Sequence, residues 1–371
     1  MKNETTTQYR KRLQSLFNSS GLLPIDPPEE RHRIYTALTC NIPKINLYQY
    51  RCCSQRSIFN FWKNQQTLVN PTKFNDPFDS LPFFNNKSIE NSYAGLTQEK
   101  FQELLEIIKN RSFTQGELLD IGGTQQKEIL RSIGSILDKE NKEKFYSEFE
   151  QSKQRGRKIT LLLANYVAKI LQNSIRVSCF SEVCNSPIMW GHYADSGKGF
   201  CVKYEITPFN NIIWDIGNKC IAQPNCENKR VLSILPVIYQ SKRYDYIRLL
   251  EAYQGYFAAS AFNLKLDLSY HDLLDKLKIA CFKSSEWKYE KEWRLILEVN
   301  NTEPDYYTAP FFSAAALYLG PHIAADNETM LLEYAKIMKT SQGAPLPIYK
   351  MSVNWFQKDF SLAAVPYQQE K

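Results

Sequence analysis

The hydrophobic pattern of the chain changes from a helical period to an alternating one near residue 174. Within residues 97–173, "TQEKFQELLEIIK" and "ITLLLANYVAKIL" place apolar residues three and four positions apart, which is typical of amphipathic helices. From residue 175 onward, "IRVSCFS", "GFCVKYEI" and "EWRLILEV" alternate apolar and polar positions, as half-buried strands do. The pattern predicts an α+β fold in which a helical insertion covers one side of a β core.

Further elements extend this core on both sides. Short strands are predicted at 45–51, 237–240 and 315–320 and in "LPIYKMSV", and residues 54–70 read as a helix followed by a strand. We therefore expect a mixed or antiparallel β core with flanking helices. The predicted organisation is an N-terminal arm (1–40), a single catalytic-type α+β domain (41–350) with the insertion at about 97–173, and a C-terminal tail (351–371).

Composition favours a soluble protein. Of the 371 residues, 43% are hydrophobic, enough for a substantial core. No apolar run approaches membrane-spanning length, and the polar N-terminus lacks the apolar segment of a secretory signal. We expect a cytoplasmic protein with no membrane partner.

Charge and cysteine content narrow the ligand classes only slightly. The net charge of +7 is spread along the chain, which mildly favours an anionic ligand without the dense basic stripe of a dedicated nucleic-acid binder. The nine cysteines are scattered and read as free thiols of a reducing compartment. Cys179, Cys184, His192 and Cys201 lack the C-x-x-C spacing of zinc knuckles, so no metal is expected.

The segment "SSEWKYEKEWRLILEV" (284–299) places Glu290 and Glu292 two positions apart, ahead of a stretch that alternates apolar and polar residues. If Trp293 faces the core of a strand that begins nearby, then Glu290, Glu292 and Arg294 face the other way, because residues two apart share a face. That face is either a solvated edge with an Arg–Glu pair or a cleft lined by carboxylates.

A second cluster lies in "SCFSEVCNSPIMWGHYADSGKGF" (178–200), which gathers hydroxyls, aromatic rings and an imidazole. Ser178, Ser181, His192 and Tyr193 would suit a pocket for a flat heteroaromatic ligand. The alternative is core packing with satisfied polar tips, which fits Trp190 best.

A third cluster is "FNDPFDS" (74–80), in which Asn-Asp-Pro is a strong turn signal. Asn75, Asp76 and Asp79 either build this turn alone or also anchor a ligand between Phe74 and Phe78.

The order of these motifs resembles a known bacterial family. "LYQYR", "FNDPFDS", "SCFS…MWGHYADSGKGFCVKYE", "WKYEKEWRLI" and "LYLG" are similar, from about residue 45 to about residue 350, to the family called domain of unknown function 2971. The family name implies no activity.

A weaker resemblance points to chemistry. An aromatic-Arg strand, a Ser-containing strand and E-x-E on a late strand are similar to the ADP-ribosyltransferase superfamily, which implies the fold of those enzymes and NAD as the substrate. The corresponding residues are Tyr48, Tyr50 and Arg51, then the segment Ser178 to Ser181, which is not the usual Ser-Thr-Ser, and then Glu290 and Glu292.

The resemblance also implies a role for each residue. Glu292 would stabilise the positive charge that develops on the ribose, and Glu290 would orient or deprotonate the acceptor. Arg51 would hold the pyrophosphate, while Tyr50 or Tyr193 would stack on nicotinamide. Ser178 or Ser181 would hydrogen-bond a ribose or position Glu292, and His192 would bind a ribose hydroxyl. No Rossmann glycine motif is present.

The leading hypothesis is therefore an ADP-ribosyltransferase or NAD glycohydrolase, in the setting of a bacterial toxin or antiphage effector. Its acceptor would be protein, nucleic acid or water, and an antitoxin or chaperone could restrain it. One alternative is a metal-dependent nuclease or phosphodiesterase, with Asp76, Asp79, Glu290 and Glu292 on Mg²⁺. Another is a non-enzymatic nucleotide-binding module.

Overall fold

A computed structural model describes most of the chain outside the predicted insertion. The described residues are 4–19, 42–87, 161–162, 164–206, 212–215, 220–221, 229–247, 250, 276–300, 303–356 and 358–367. The helical insertion predicted at about 97–173 falls largely outside these residues, and its last part, 164–173, is helical as predicted.

The centre of the fold is a mostly antiparallel sheet of twelve strands, so the α+β prediction is confirmed at this level. In chain order, the first seven strands are β1 (Ile45–Arg51), β2 (Gln65–Val69), β3 (Ile175–Ser181), β4 (Phe200–Ile206), β5 (Ile212–Asp215), β6 (Cys220–Ile221) and β7 (Lys229–Pro236). They are followed by β8 (Ile238–Gln240), β9 (Phe282–Ser284), β10 (Glu292–Glu298), β11 (Tyr306–Pro310), β12 (Ala316–Leu319), β13 (Ile348–Ser352) and β14 (Ala363–Pro366).

The strand order is β14-β13-β12-β4-β1-β3-β10-β7-β5-β6, and β2 joins β3 to β11. Strands β12 and β13 pair in parallel, and β8 and β9 form a separate parallel pair. The helices whose two ends both lie within the described residues are α1 (Thr6–Ser19), α2 (Gln55–Trp62), α3 (Pro187–Tyr193) and α4 (Ala325–Ile337), with 3-10 turns at Pro71–Lys73 and Ser285–Glu290.

Both faces of the central strands are buried. On one face Leu47, Phe180, Tyr204, Trp293 and Leu295 belong to the main hydrophobic core. On the other face, a second cluster contains Trp190, Cys201 and Tyr318, against which Tyr48 and Tyr50 pack. The predicted inward face of β10 is therefore confirmed, and its opposite face is also covered, because every residue of β10 except Glu298 is buried.

The N-terminal segment is more structured than the predicted polar arm. It contains α1, in which Tyr9, Leu13 and Phe17 are fully buried. These residues are four positions apart and so lie on one face of the helix.

The predicted C-terminal tail also contributes to the sheet. Strand β14 pairs with β13, from Ser352↔Ala363 to Tyr349↔Pro366. The sequence gives no clear signal for this strand, because its four residues do not alternate between apolar and polar.

Two glycines in the family-like motifs allow close backbone approach between strands. A Cβ on Gly199 would lie 2.1 Å from the carbonyl oxygen of Arg51, and a Cβ on Gly320 would lie 2.2 Å from that of Gly197. Only glycine fits at such distances, which gives "ADSGKG" and "LYLG" a structural reason.

No helix in the described part of the chain has the length and apolar character needed to span a bilayer.

Candidate functional site

A cleft of about 500 Å³ opens where β1 and β2 diverge along β3. Strand β3 pairs with β1 at Tyr48↔Ser181 and with β2 at Val69↔Val177. Ser178, Cys179 and Phe180 lie between these two contacts and line the cleft. The cleft therefore penetrates between strands, and residues from both faces of β3 reach it.

Most of the residues predicted to form a site line this one cleft. They are Tyr48, Tyr50, Asn75, Asp79, Ser178, Ser181, His192, Tyr193, Glu290 and Glu292. They come from four segments that are far apart in the sequence, and the sheet brings them together.

Three of them form a single row across the sheet. Ser181 pairs with Tyr48 on one side and with Glu292 on the other. Residues directly opposite each other in an antiparallel sheet share a face, so the tyrosine, the serine and the glutamate are presented to the cleft together.

The sequence had suggested that the two glutamates lie on one strand, but the structure places them in different elements. Glu290 ends the 3-10 turn and Glu292 begins β10. Lys291, between them, has a left-handed backbone with φ of 45°, a conformation that is uncommon for residues other than glycine. Both glutamates are buried, at 2% and 3% exposure, so the alternative of a solvated edge was wrong.

Arg294 lies beneath the cleft and does not line it, and its side chain is fully buried. Its guanidinium donates to Asp79 through Nη1 (2.8 Å) and Nη2 (2.6 Å), and to Glu292 through Nε (2.7 Å) and Nη2 (3.1 Å). Such paired, charge-assisted hydrogen bonds fix carboxylate orientation strongly. Arg294 therefore positions Glu292 without lining the cleft.

Lys283 is a central residue that the sequence reasoning missed. Its ammonium lies 2.6 Å from Glu290, 3.0 Å from Glu292 and 3.6 Å from Asp79, and the residue is buried. It lies in the short strand β9. The one local sign of its burial is the apolar run "IACF" that precedes it.

The surroundings drive the pKa values of the two glutamates in opposite directions. Burial opposes ionisation of Glu292, but the charges of Arg294 and Lys283 prevail and hold its pKa well below the usual range. For Glu290, burial and the charge of Glu292 raise the pKa, against the opposing effect of Lys283. Glu292 is thus a fixed anion, and Glu290 is the group that exchanges a proton more readily.

Tyr193 and Ser181 hold Glu290 in place. The Tyr193 hydroxyl donates to the Glu290 carboxylate, and Ser181 Oγ donates to the Glu290 carbonyl oxygen at 2.6 Å. Burial and the hydrogen bond to Glu290 raise the pKa of Tyr193, so this hydroxyl stays protonated. Ser181 therefore shapes the site, because its hydroxyl hydrogen is already engaged.

Arg51 lies outside the cleft, contrary to the prediction that it shares the cavity. Its guanidinium contacts Gln49, Gln66 Oε1 (3.0 Å) and Tyr204 Oη (3.2 Å). Residues 48 and 50 point to one face of β1, so residue 51 points to the other. Its link to the cleft is indirect, since Gln49 Nε2 donates to Ser178 Oγ at 3.0 Å.

Asp76 also lies outside the site. Its Oδ1 accepts from the backbone N–H of Phe78 at 2.9 Å, which is the turn-only interpretation of this residue. Asp79, Glu290 and Glu292 do converge, but the cations between them are Lys283 and Arg294. Among the described residues, no group of three or more His, Cys, Asp and Glu side chains takes a metal-binding arrangement.

His192 lies at the mouth of the cleft and is exposed. Its Nδ1 is 3.4 Å from the Tyr289 hydroxyl, and its ring contacts those of Tyr193 and Tyr289. Trp190, by contrast, is a core residue, because it is 2% exposed and its indole N–H donates to the Cys184 carbonyl at 2.7 Å.

Comparison with known proteins identifies a family over part of the chain. Neither the curated proteins nor the solved structures gave a match. A family model matches residues 189–295. This segment includes Lys283, Glu290, Glu292 and Arg294, whereas Tyr48, Asp79 and Ser181 precede it. Residues 189–295 match the model of the family described as "Protein of unknown function (DUF2971)", which is the family that the sequence motifs resemble.

Proposed function

We propose that this protein breaks the nicotinamide–ribose bond of NAD, as an ADP-ribosyltransferase or an NAD glycohydrolase. The setting that accompanies this proposal is a cytoplasmic bacterial toxin or antiphage effector, and it rests on the sequence resemblance alone. The finer fold assignment, an ADP-ribosyltransferase-like core, belongs to the same proposal.

The observation that carries the proposal is the row Tyr48–Ser181–Glu292. The resemblance named three strands, and these are β1, β3 and β10, which are direct neighbours in the sheet. One residue from each meets in register beside a cleft large enough for a nucleotide moiety. An accidental sequence match would not require this adjacency.

Glu292 supplies what the bond cleavage needs at the sugar. Loss of nicotinamide builds positive charge on the ribose, as in glycoside hydrolysis. A carboxylate that stays ionised and is held rigidly stabilises this charge without having to reorganise. Arg294 and Lys283 keep Glu292 in that state, because they lower its pKa and bind its oxygens.

Glu290 is suited to the proton transfer. Two neighbouring carboxyls whose pKa values are driven apart commonly divide the roles of fixed charge and acid or base. The raised pKa of Glu290 brings it closer to neutral pH, where a general base is most effective. The C1′–N bond breaks with its electron pair leaving on nicotinamide, the acceptor oxygen or nitrogen bonds to C1′, and Glu290 takes the acceptor proton.

The walls of the cleft offer groups for the rest of NAD. Tyr50 or Tyr193 would stack on nicotinamide, and the Ser178 hydroxyl, which accepts from Gln49, still has a hydrogen to donate to a ribose. Since Arg51 faces away, the pyrophosphate partner in this proposal is Lys73. It lines the cleft and its side chain is 49% exposed, beside Asp305 at 3.3 Å.

The test is an NAD turnover assay on the purified full chain. NAD is incubated with the protein in the presence and absence of EDTA, and released nicotinamide is followed by chromatography. Release that persists in EDTA supports the proposal, and ADP-ribose in equal amount identifies the hydrolase form.

Two other results would replace the proposal. Nucleic-acid cleavage that requires Mg²⁺, without nicotinamide release, would favour the nuclease alternative. Saturable NAD binding with no product in either reaction would favour a non-enzymatic nucleotide-binding module.

A further inference from the structure

A continuous row of aromatic side chains leads from the surface to Glu290. Ring centroids are 6.1 Å apart for Trp287 and Tyr289, 6.3 Å for Tyr289 and His192, and 6.1 Å for His192 and Tyr193. Tyr193 then donates its hydroxyl hydrogen to the Glu290 carboxylate. We call these four residues the mouth row.

The mouth row is accessible to solvent. His192 is exposed, and the other three side chains are partly exposed. Trp287 and Tyr289 project from the 3-10 turn that delivers Glu290. A flat group resting on these rings would therefore lie next to the proposed base.

Basic side chains alternate with the rings. Lys288 and Lys291 are exposed and flank Tyr289 in the segment "EWKYEK". Spaced rings with interleaved lysines are the arrangement that binds single-stranded nucleic acid, because bases stack on the rings while the lysines meet the phosphates.

We propose that the mouth row binds single-stranded nucleic acid and presents a nucleobase as the ADP-ribose acceptor. This inference deepens the proposed function and rests on it for the transfer step, although strand binding itself does not require NAD. A nitrogen or oxygen of the stacked base attacks C1′, nicotinamide leaves with the bonding electrons, and Glu290 accepts the proton of the attacking group.

A protein acceptor is less well matched to this surface. Peptide recognition would draw on pockets or an open strand edge, whereas the mouth row offers ring faces and point charges. Modification of protein is therefore an outcome that counts against the inference.

The test begins with strand binding in the absence of NAD. Anisotropy of a fluorescein-labelled single-stranded oligonucleotide is followed as a function of protein concentration and salt. Tyr289→Ala should weaken binding roughly tenfold, as loss of one stacking ring does, and Tyr289→Phe should bind like wild type. Phe356→Ala is the control, since Phe356 is 98% exposed and does not line the cleft.

The lysines have a separate signature in the salt dependence. The double substitution Lys288→Ala and Lys291→Ala should reduce the slope of log K against log salt by roughly 1.4, at about 0.7 per phosphate contact for a single strand. An unchanged slope together with full affinity of Tyr289→Ala would overturn the inference.

The transfer step is followed with labelled NAD and the same oligonucleotide. At an oligonucleotide concentration below saturation, we expect label on the oligonucleotide that is reduced roughly tenfold in Tyr289→Ala and retained in Tyr289→Phe. Nicotinamide release without oligonucleotide binding, or label on protein only, overturns the inference and leaves the proposed function standing. Oligonucleotide binding at the mouth row without nicotinamide release refutes the proposed function and supports the binding surface.

Discussion

The buried guanidinium of Arg294 should be the largest single electrostatic contributor to the stability of this site. Arg294→Leu removes four hydrogen bonds to two carboxylates. Among the described residues, the one cation left beside the two carboxylates would be Lys283, at 3.6 Å from Asp79 and 3.0 Å from Glu292, and Asp79 would also keep the hydrogen bond from Ser80 Oγ. Breaking a buried ion pair by removing one partner costs about 3–5 kcal/mol, and we expect a loss in this range at pH 7.

The loss should depend on pH in a definite direction. In the wild type the folded pKa of Glu292 is lowered, so its contribution is present above the unfolded value of about 4.3 and is lost as pH falls toward the folded pKa. The variant lacks the guanidinium that supports this contribution. The difference in free energy of unfolding between wild type and Arg294→Leu should therefore narrow as pH falls below about 4.3.

The assay is urea unfolding followed by circular dichroism at several pH values. The matched control is Lys336→Ala, which breaks a surface pair with Glu333 whose side chains are 49% and 64% exposed and should cost well under ~1 kcal/mol. If the loss in free energy of unfolding for Arg294→Leu is no larger than that of the control, or does not depend on pH, Arg294 does not stabilise the two buried carboxylates as described.

Three further predictions follow from the same structure. Burial and the charge of Glu292 raise the pKa of Glu290. Glu290→Gln should therefore gain stability relative to wild type as pH rises above about 4.3. A difference in the free energy of unfolding by urea that stays constant with pH would contradict this. Trp190→Ala should lower the free energy of unfolding by about 3–5 kcal/mol, because Trp190 is 2% exposed. The control Trp355→Ala, at a residue that is 89% exposed, should change the melting temperature little, and equal effects of the two substitutions would contradict the placement of Trp190 in the core. Lys73→Ala should raise the KM for NAD with little change in kcat, since it removes a contact to the pyrophosphate and not to the reacting bond, and an unchanged KM would remove Lys73 from the nucleotide site.

Most of the central strands could be predicted from the alternation of apolar and polar residues along each strand. In β1, β3, β4 and β10 the period of two was clear, because each strand has a buried apolar face. The same rule also contained the correction for Arg51. Position 51 lies on the opposite face from Tyr48 and Tyr50, so all three could not line one surface of a regular strand.

The missing parts of the site depend on contacts that no local pattern encodes. Lys283 gains its role because β9 passes beside Asp79, which is about two hundred residues earlier in the chain. The convergence of both glutamates depends on the left-handed backbone at Lys291, where the sequence has no glycine to indicate a turn. The helix α1 was predictable, since Tyr9, Leu13 and Phe17 show the four-residue spacing of an amphipathic helix, but the polar composition of the segment led to its interpretation as an arm.

In the proposed function, Glu292 is the fixed anion in the cleavage of NAD. This role is examined by measuring the rate of nicotinamide release by wild type, Glu292→Gln and Glu205→Gln, with the fold of each checked by circular dichroism. Glu205 is a surface glutamate with a 42% exposed side chain and does not line the cleft. Wild type and Glu205→Gln should release nicotinamide at equal rates, and folded Glu292→Gln should release it about 10²–10³-fold more slowly. Equal rates for all three proteins would show that Glu292 does not stabilise the reacting sugar.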